Sequence, residues 1–153
     1  MFQKIFLFSL LLVITASCSK TNSIPDFSAI DKQVFEEYLT IKNLTAQTTP
    51  SGLYYIITTP GGTVHPTINS TVKAYYKGYL ADGSVFDQTK TTPAEFPLSG
   101  VIAGWQEGLQ LIGAGGKIKL LIPSRLGYGG VAKPGIPMNS VTIFDVELVS
   151  FAK

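Results

Sequence analysis

The stretch TVKAYYKGYLADGSVFDQ, residues 71–88, has the pattern of a β-hairpin. Residues 71–80 are rich in β-branched and aromatic side chains, which favour extended strands. Ala81-Asp82-Gly83 is typical of a tight turn, and residues 84–88 then return as a second strand. Because the two strands of a hairpin pair antiparallel, this stretch predicts an antiparallel sheet.

The sequence on both sides of the hairpin predicts further strands and one short helix. Apolar and β-branched runs indicate the strands, and the glycines of 113–116 end the helix. The predicted elements are a strand at 53–58, an edge strand at 96–98 that tolerates Pro97, a helix at 101–112, a strand at 117–123, a long loop at 124–140 and a last strand at 141–151. We therefore expect an α+β fold, with a curved antiparallel β-sheet wrapped around one short helix.

A separate helix precedes this domain. Within residues 26–44, apolar side chains recur at spacings of three and four, which is the period of one helical face. The predicted face consists of Phe27, Ile30, Val34, Tyr38 and Ile41. The sequence thus predicts an N-terminal helical extension over 26–47 and a main domain over 48–153. The pattern leaves open whether the helix packs on its own domain or mediates dimerisation.

Large aromatic side chains lie beside glycines in four separate segments. Glycine permits tight turns and close packing next to large apolar rings. A chain arranged in this way can line one concave apolar pocket with Tyr76, Phe86, Trp105, Tyr128 and Phe144. The four segments are YYKGYLADGSVFDQ (75–88), VIAGWQEGL (101–109), RLGYGG (125–130) and PGIPMNSVTIFDVEL (134–148).

In their order and spacing, these segments resemble the FKBP-type peptidyl-prolyl cis-trans isomerases. The resemblance extends from about Gly52 to Phe151. It implies an FKBP-like fold and an enzyme that isomerises X-Pro bonds of polypeptides without a cofactor. It also makes macrolides candidate ligands.

The resemblance further implies a role for each residue of the site. Trp105 would lie under the bound proline ring, and the Tyr76 hydroxyl would pair with the Asp87 carboxylate near the substrate carbonyl. The Tyr128 hydroxyl would bond a ligand carbonyl. Val101 and Ile102 would form walls, with the Ile102 backbone N–H as a further donor. The other expected wall residues are Phe86, Phe96, Ile136 and Phe144.

Taken without the resemblance, the same residues permit plainer interpretations. A lone tryptophan is more often a core residue than the floor of a site. Asp87 could be an exposed turn aspartate, and Tyr128 could pack a glycine-rich loop onto the core.

The chain departs from the family pattern at three places. Ala94 stands where the best-known members have an aromatic wall residue, Leu126 and Gly127 replace a larger pair, and Lys133 replaces another polar residue. These changes are expected to alter substrate preference and macrolide affinity. Ala94 also keeps open the alternative of a proline-segment binding module or chaperone with weak or no isomerase activity. A purely structural envelope protein is a third interpretation.

The N-terminus has the pattern of a bacterial lipoprotein signal. Lys4 is followed by an apolar run, small residues and then Cys18, the only cysteine. The sequence predicts a signal peptide at 1–17, lipidation of Cys18 and a tether at 18–25. We therefore expect a lipid-anchored protein of the bacterial cell envelope, facing the periplasm or the exterior. Ser19 favours the outer membrane.

Charge and metal-ligand content exclude several function classes. The formal net charge is +2 with scattered lysines, which does not indicate a nucleic-acid partner. His65 is the only histidine, so no His/Cys cluster predicts a metal site. No motif frames a serine beside His65 for nucleophilic catalysis.

Overall fold

A computed structural model describes residues 27–152. The predicted signal peptide, lipidation site and tether lie outside the described residues. Two helices and seven strands follow one another along the chain: α1 (Phe27–Lys42), β1 (Gln47–Thr48), β2 (Tyr54–Thr59), β3 (Thr71–Tyr79), β4 (Val85–Gln88), β5 (Ala94–Pro97), α2 (Ala103–Leu109), β6 (Lys117–Ile122) and β7 (Thr142–Ala152). Within the described part of the chain, neither helix has the length and apolarity needed to cross a membrane.

The strands form one curved antiparallel sheet. Its order is β1-β2-β6-β7-β3-β4, and β5 pairs with the outer part of β3. The predicted hairpin is β3 and β4, in which Gly78 lies opposite Asp87. The long last strand, β7, pairs with both β6 and β3 and therefore holds the centre of the sheet. The expected α+β architecture is confirmed.

Helix α2 packs on the concave face of the sheet. Leu109 on the helix and Leu120, Ile122 and Phe144 on the strands belong to one buried cluster. A Cβ added at Gly108 would lie 2.5 Å from the Leu120 Cδ2 atom, so glycine at this position lets the helix approach the sheet closely. At the N-terminal end of α2, a Cβ added at Gly104 would lie 2.5 Å from the Ile122 Cγ2 atom, so glycine lets this end approach the sheet closely as well.

Helix α1 covers part of the opposite face. Phe35 and Tyr38 pack with Tyr79, Leu121 and Ile143 in a second buried cluster. Because side chains alternate between the faces of a strand, neighbouring residues of β6 and β7 serve different clusters. The molecule therefore has three layers, α1, sheet and α2.

The face of α1 that packs differs from the predicted one. Ile30 and Ile41 are 51% and 70% exposed, whereas Asp31, Phe35 and Tyr38 are buried. The predicted apolar stripe was therefore wrong at two of its positions. The helix is rotated so that Phe35 reaches the sheet, and Asp31 is buried because it finds hydrogen-bond donors in a distant loop.

Two further differences concern element boundaries. The helix expected at 101–112 is confined to α2, because Val101 and Ile102 are extended and residues after Leu109 continue as tightened turns. The long loop contains a 3-10 helix, Ser124–Leu126, and a β-bridge between Lys133 and Ile136.

Candidate active site

A cavity of about 310 Å³ opens on the concave side of the sheet, beside the N-terminal end of α2. Its walls come from six parts of the chain: β3, β4, β5, the segment 100–105 that leads into and begins α2, the loop before β7, and β7 itself. Most of the lining is aromatic or aliphatic. The lining residues are Tyr76, Asp87, Phe96, Gly100, Val101, Ile102, Trp105, Tyr128 and Phe144.

Trp105 forms the floor of this cavity. Its indole is only 4% exposed, and three aromatic rings pack edge-on against it. The ring centroids of Tyr76, Phe144 and Phe96 lie 5.2, 5.4 and 5.9 Å from that of Trp105, at interplanar angles of 82° to 87°. Edge-on packing is a favoured aromatic geometry, so the surrounding rings hold the indole in one orientation.

Tyr76 and Asp87 are joined by a hydrogen bond across β3 and β4. The Tyr76 hydroxyl donates to the Asp87 Oδ2 atom over 2.6 Å. Burial raises the pKa of Tyr76 far above its usual range, and the bond to the Asp87 carboxylate raises it further. Tyr76 therefore stays protonated at every physiological pH, and it fixes the orientation of an otherwise exposed carboxylate.

Tyr128 lies on the loop between β6 and β7 and closes one side of the cavity. Its half-buried ring packs edge-on against Phe86, with centroids 6.4 Å apart and an interplanar angle of 84°. Burial raises the pKa of Tyr128, and the nearby Asp87 charge adds to that effect. Among the described residues, the Tyr128 hydroxyl has no hydrogen-bond partner, so the hydroxyl can donate to a ligand.

The segment before α2 supplies a second donor. Val101 and Ile102 line the cavity in extended conformation. Across residues 27–152, the Ile102 backbone N–H is paired with no acceptor. The Gln106 side-chain amide donates to the Val101 carbonyl over 2.7 Å and to the Ser99 carbonyl over 3.3 Å, which holds this segment against the helix.

The structure separates two of the expected wall residues from the cavity. Phe86 lies behind Tyr128 and Phe144 and supports both rings without lining the cavity. Ile136 is buried within the loop, where its bridge to Lys133 closes the loop tip. The other expected side chains of the site are brought together: Tyr76, Asp87, Tyr128, Phe96, Val101, Ile102, Trp105 and Phe144.

Sequence reasoning missed two contributors to the site. Gly100 lines the cavity directly, and Gln106 positions Val101. Gly100 could have been predicted from the sequence, since a glycine directly before a wall residue leaves space for a ligand beside the backbone. No sequence pattern predicts the role of Gln106, because its hydrogen bond to the Val101 carbonyl depends on how the preceding segment folds against α2.

Ala94 contributes only a methyl group near the site. It lies two residues before Phe96 on edge strand β5, opposite Ala74 of β3, and it does not line the cavity. Side chains two apart on a strand point to the same face. A larger side chain at position 94 would therefore extend the wall that Phe96 begins.

A larger hollow of about 410 Å³ lies on the opposite face of the sheet. Lys117 and Lys119 line it, and they form ion pairs with Glu147 and Asp145 at 3.0 and 2.5 Å. Its aromatic lining is limited to Tyr75 and Tyr76, so it lacks the enclosing set of rings of the Trp105 cavity. Among residues 27–152, no group of three His, Cys, Asp or Glu side chains is arranged to hold a metal ion.

The chemistry open to the Trp105 cavity is binding with oriented polar contacts. The lining includes no nucleophile held by a base. It offers a mostly apolar hollow, two donors at Tyr128 and Ile102, and a carboxylate oriented by Tyr76. Such a site can enclose a small apolar ring and hold carbonyl groups beside it.

Comparison with known proteins shows which family the chain is similar to. The family model for FKBP-type peptidyl-prolyl cis-trans isomerase matches residues 62–149. The FKBP-type peptidyl-prolyl cis-trans isomerase FkpA of Escherichia coli strain K12 is 44% identical over 126 residues, which are 81% of this chain and 46% of that protein. The chain thus spans about half the length of this relative.

Solved structures show the same fold. The crystal structure of FkpA from Escherichia coli matches with a TM-score of 0.73 at 44% identity, over 82% of this chain and 59% of that one. A peptidyl-prolyl cis-trans isomerase from Pseudomonas syringae pv. tomato matches with a TM-score of 0.70 at 29% identity, over 82% of this chain and 96% of that one.

Proposed function

Because the chain belongs to the FKBP-type peptidyl-prolyl cis-trans isomerase family, we propose that it catalyses cis-trans isomerisation of X-Pro bonds in polypeptides. The observation that carries the proposal is the cavity in which the Trp105 floor faces the Tyr76–Asp87 hydrogen bond. An apolar hollow of this size accommodates a pyrrolidine ring. The family similarity and the aromatic cavity support the same activity, which favours catalysis over a purely structural role for these rings.

The reaction needs no covalent chemistry from the protein. Rotation about the peptide C–N bond has a barrier of about 18–20 kcal/mol because resonance gives that bond partial double-bond character. The twisted amide of the transition state has lost this resonance. A site accelerates the rotation if it binds the twisted amide more tightly than the planar one.

Each part of the cavity has a place in that differential binding. Trp105 and its ring neighbours hold the pyrrolidine ring out of water. The donors at Ile102 and Tyr128 take carbonyl oxygens of the substrate backbone on either side of the rotating bond. The Asp87 carboxylate, held by Tyr76, faces the carbonyl whose charge distribution changes as the amide twists.

We also propose where the activity is used. The signal pattern at 1–17 and the lipidation pattern at Cys18 support a position in the bacterial envelope, on the periplasmic or exterior side of a membrane, with the outer membrane favoured. Its substrates there are unfolded or flexible segments of envelope proteins. Uncatalysed X-Pro isomerisation takes about tens to hundreds of seconds, slow enough to limit their folding.

The same cavity makes macrolides candidate ligands. They would use the Trp105 floor and the two donors, as the proline segment does. Ala94 leaves one wall short, which lowers the apolar area that such a large ligand can bury.

Exchange NMR on short X-Pro peptides tests the proposed activity. The expected result is line broadening or exchange cross-peaks between cis and trans signals when the protein is added. Peptide binding without exchange would favour the binding-module alternative. If the folded protein neither binds the peptides nor speeds their exchange, the proposal is contradicted.

Membrane fractionation tests the anchor. Replacement Cys18→Ser is expected to release the protein from the membrane fraction into the soluble one. Retention of the variant in the membrane fraction would show that the lipid anchor is wrong.

A further inference from the structure

Asp31 is a buried carboxylate in the second turn of α1, and it does not line the cavity. It is only 2% exposed. Its Oδ2 atom accepts two hydrogen bonds, from the Ser124 backbone N–H and from the Ser124 hydroxyl, both 2.8 Å long. Burial of a carboxylate is costly unless it is hydrogen-bonded, so this pair of bonds is a specific contact between α1 and the start of the loop that follows β6.

Ser124 also bonds to the residues on both sides of the cavity tyrosine. Its carbonyl oxygen accepts hydrogen bonds from the Gly127 N–H at 3.1 Å and from the Gly129 N–H at 2.8 Å. These two amides stand immediately before and after Tyr128. The N–H and hydroxyl of Ser124 are therefore held by α1, while its carbonyl holds both neighbours of the cavity tyrosine.

Other contacts also fix this stretch of the loop: Leu126 and Tyr128 pack against the core cluster, and the Val131 N–H donates to the Tyr128 carbonyl at 3.3 Å. Gly129 has a φ of +57°, a conformation that glycine adopts readily, so its own backbone does little to restrict it. The Gly129 carbonyl accepts from the Asn139 N–H at 2.8 Å, which ties the far end of the loop. Arg125 holds the turn from outside through a bond to the Ser51 carbonyl. Asp31 is the acceptor for the N–H and the hydroxyl of Ser124.

We infer that Asp31 is a positioning residue for Tyr128, acting through Ser124. The inference rests on the proposed function, because it concerns a tyrosine that holds the substrate. Asp31 lies outside residues 62–149, the part that matches the family model. The helical extension therefore takes part in the site: it holds the loop so that the Tyr128 hydroxyl stays aimed into the cavity.

A merely structural role for Asp31 predicts something different. In that case its bonds would only dock α1 on the domain, and any equal loosening of the helix would have the same effect. Phe35 provides the matched control, because it packs α1 on the sheet through apolar contact and makes no bond to Ser124. Phe35→Leu weakens docking without removing the tie to the loop.

Three single variants of the full chain, Asp31→Leu, Asp31→Asn and Phe35→Leu, form the first experiment. Hydrogen exchange of the segment 124–130 is measured by mass spectrometry, with folding checked by circular dichroism. Asp31→Leu is expected to speed exchange in this segment by about tenfold, since a local tie is lost. Asp31→Asn keeps an acceptor oxygen at the same place and is expected to restore protection, and Phe35→Leu is expected to leave the segment unchanged.

Turnover supplies the second readout. Asp31→Leu is expected to lower kcat/KM by about tenfold, less than the roughly hundredfold that misplacement of a group by 1 Å can cost. In a Tyr128→Phe background the same change is expected to cost less than about twofold, because the group being positioned is gone. Asp31→Asn is expected to recover most of the loss.

Several outcomes would overturn the inference. Unchanged exchange at 124–130 in Asp31→Leu would do so, as would equal effects of Phe35→Leu, or a loss that adds fully to that of Tyr128→Phe. If Asp31→Leu does not fold, Ser124→Ala removes only the hydroxyl donor and is measured in its place. An absence of turnover in the unmodified protein would instead contradict the proposed function, and exchange would still decide whether Asp31 fixes the loop.

Discussion

The Tyr76 hydroxyl and the Asp87 carboxylate are 2.6 Å apart across two neighbouring strands, at the edge of the cavity whose floor is Trp105. The strand pairing makes this contact possible, since Asp87 lies opposite Gly78. A Cβ at Gly78 would lie 2.6 Å from a ring atom of Phe86. Glycine at that position thus lets the rings beside the Tyr76–Asp87 pair close together.

Removal of the Tyr76 hydroxyl is expected to reduce turnover. In Tyr76→Phe the ring stays but Asp87 loses its donor, so we expect kcat/KM on X-Pro peptides to fall by about tenfold, equivalent to about 1.4 kcal/mol. Exchange NMR measures the rate. Tyr75→Phe is the matched control: this neighbouring tyrosine donates to the Thr91 carbonyl at 3.3 Å and does not line the cavity. Equal losses in both variants would argue against a role for the Tyr76–Asp87 bond.

Ligand binding is expected to change the fluorescence of the protein. Trp105 is the only tryptophan and lines the cavity, so its emission reports on that site alone. Titration with a proline-containing peptide is expected to shift or quench the emission in a saturable manner. A peptide with alanine in place of proline is the control and is expected to leave the spectrum unchanged. A binding peptide that leaves Trp105 emission unaltered would place the binding surface elsewhere.

Close packing of α2 on the sheet is expected to make Gly108 sensitive to substitution. Gly108→Ala would put a methyl group 2.5 Å from the Leu120 Cδ2 atom, so we expect a loss of about 1–3 kcal/mol in the free energy of unfolding. Urea denaturation measures this loss. Gly100→Ala is the control, since the atom nearest its added Cβ is 4.0 Å away. Equal stability of Gly108→Ala and the unmodified protein would show that α2 can shift without cost.

Enlargement of the short wall is expected to strengthen the proposed binding of macrolides. In Ala94→Phe a ring would extend the face that Phe96 presents, and the added apolar contact would lower the Kd for a macrolide by about tenfold. Isothermal titration calorimetry measures this change. Lys73→Phe is a suitable control because Lys73 also lies on the β3–β5 edge but is exposed and pairs with Glu95 at 3.2 Å. Equal gains in both variants would point to nonspecific adsorption.

Alkaline conditions are expected to destabilise the fold through its tyrosines. Burial raises the pKa of Tyr76, Tyr79 and Tyr128 above the ordinary value of 10.0, and for Tyr79 the hydrogen bond with Tyr38 adds to the effect. Since the folded state keeps its protons longer than the unfolded state, this stability is fully present below pH 10 and is lost as pH rises toward the folded pKa. Urea denaturation at pH 8 to 11 measures the loss. In Tyr79→Phe we expect a shallower decline; an unchanged slope would exclude Tyr79 as a source.

Much of the fold was predictable from local pattern. Hairpin chemistry at residues 71–88 indicated the pairing of β3 with β4, and alternation along residues 141–151 indicated β7, whose observed bounds differ by one residue at each end. The two-residue strand β1 was missed because so short a segment carries no period. The face of α1 was misassigned because Phe35 and Ile30 are both apolar, and only their distant neighbours distinguish them.

The sequence by itself determined the class of fold, the family, and most of the side chains that line the cavity, because strand alternation, turn glycines and the order of motifs can all be read along the chain. Only the tertiary structure decided that Phe86 stands behind Tyr128, that Gln106 holds Val101, and that Asp31 is buried against Ser124. Those positions depend on partners that topology brings together from far along the chain. Burial and hydrogen bonding are properties of that assembly, and no local pattern encodes them.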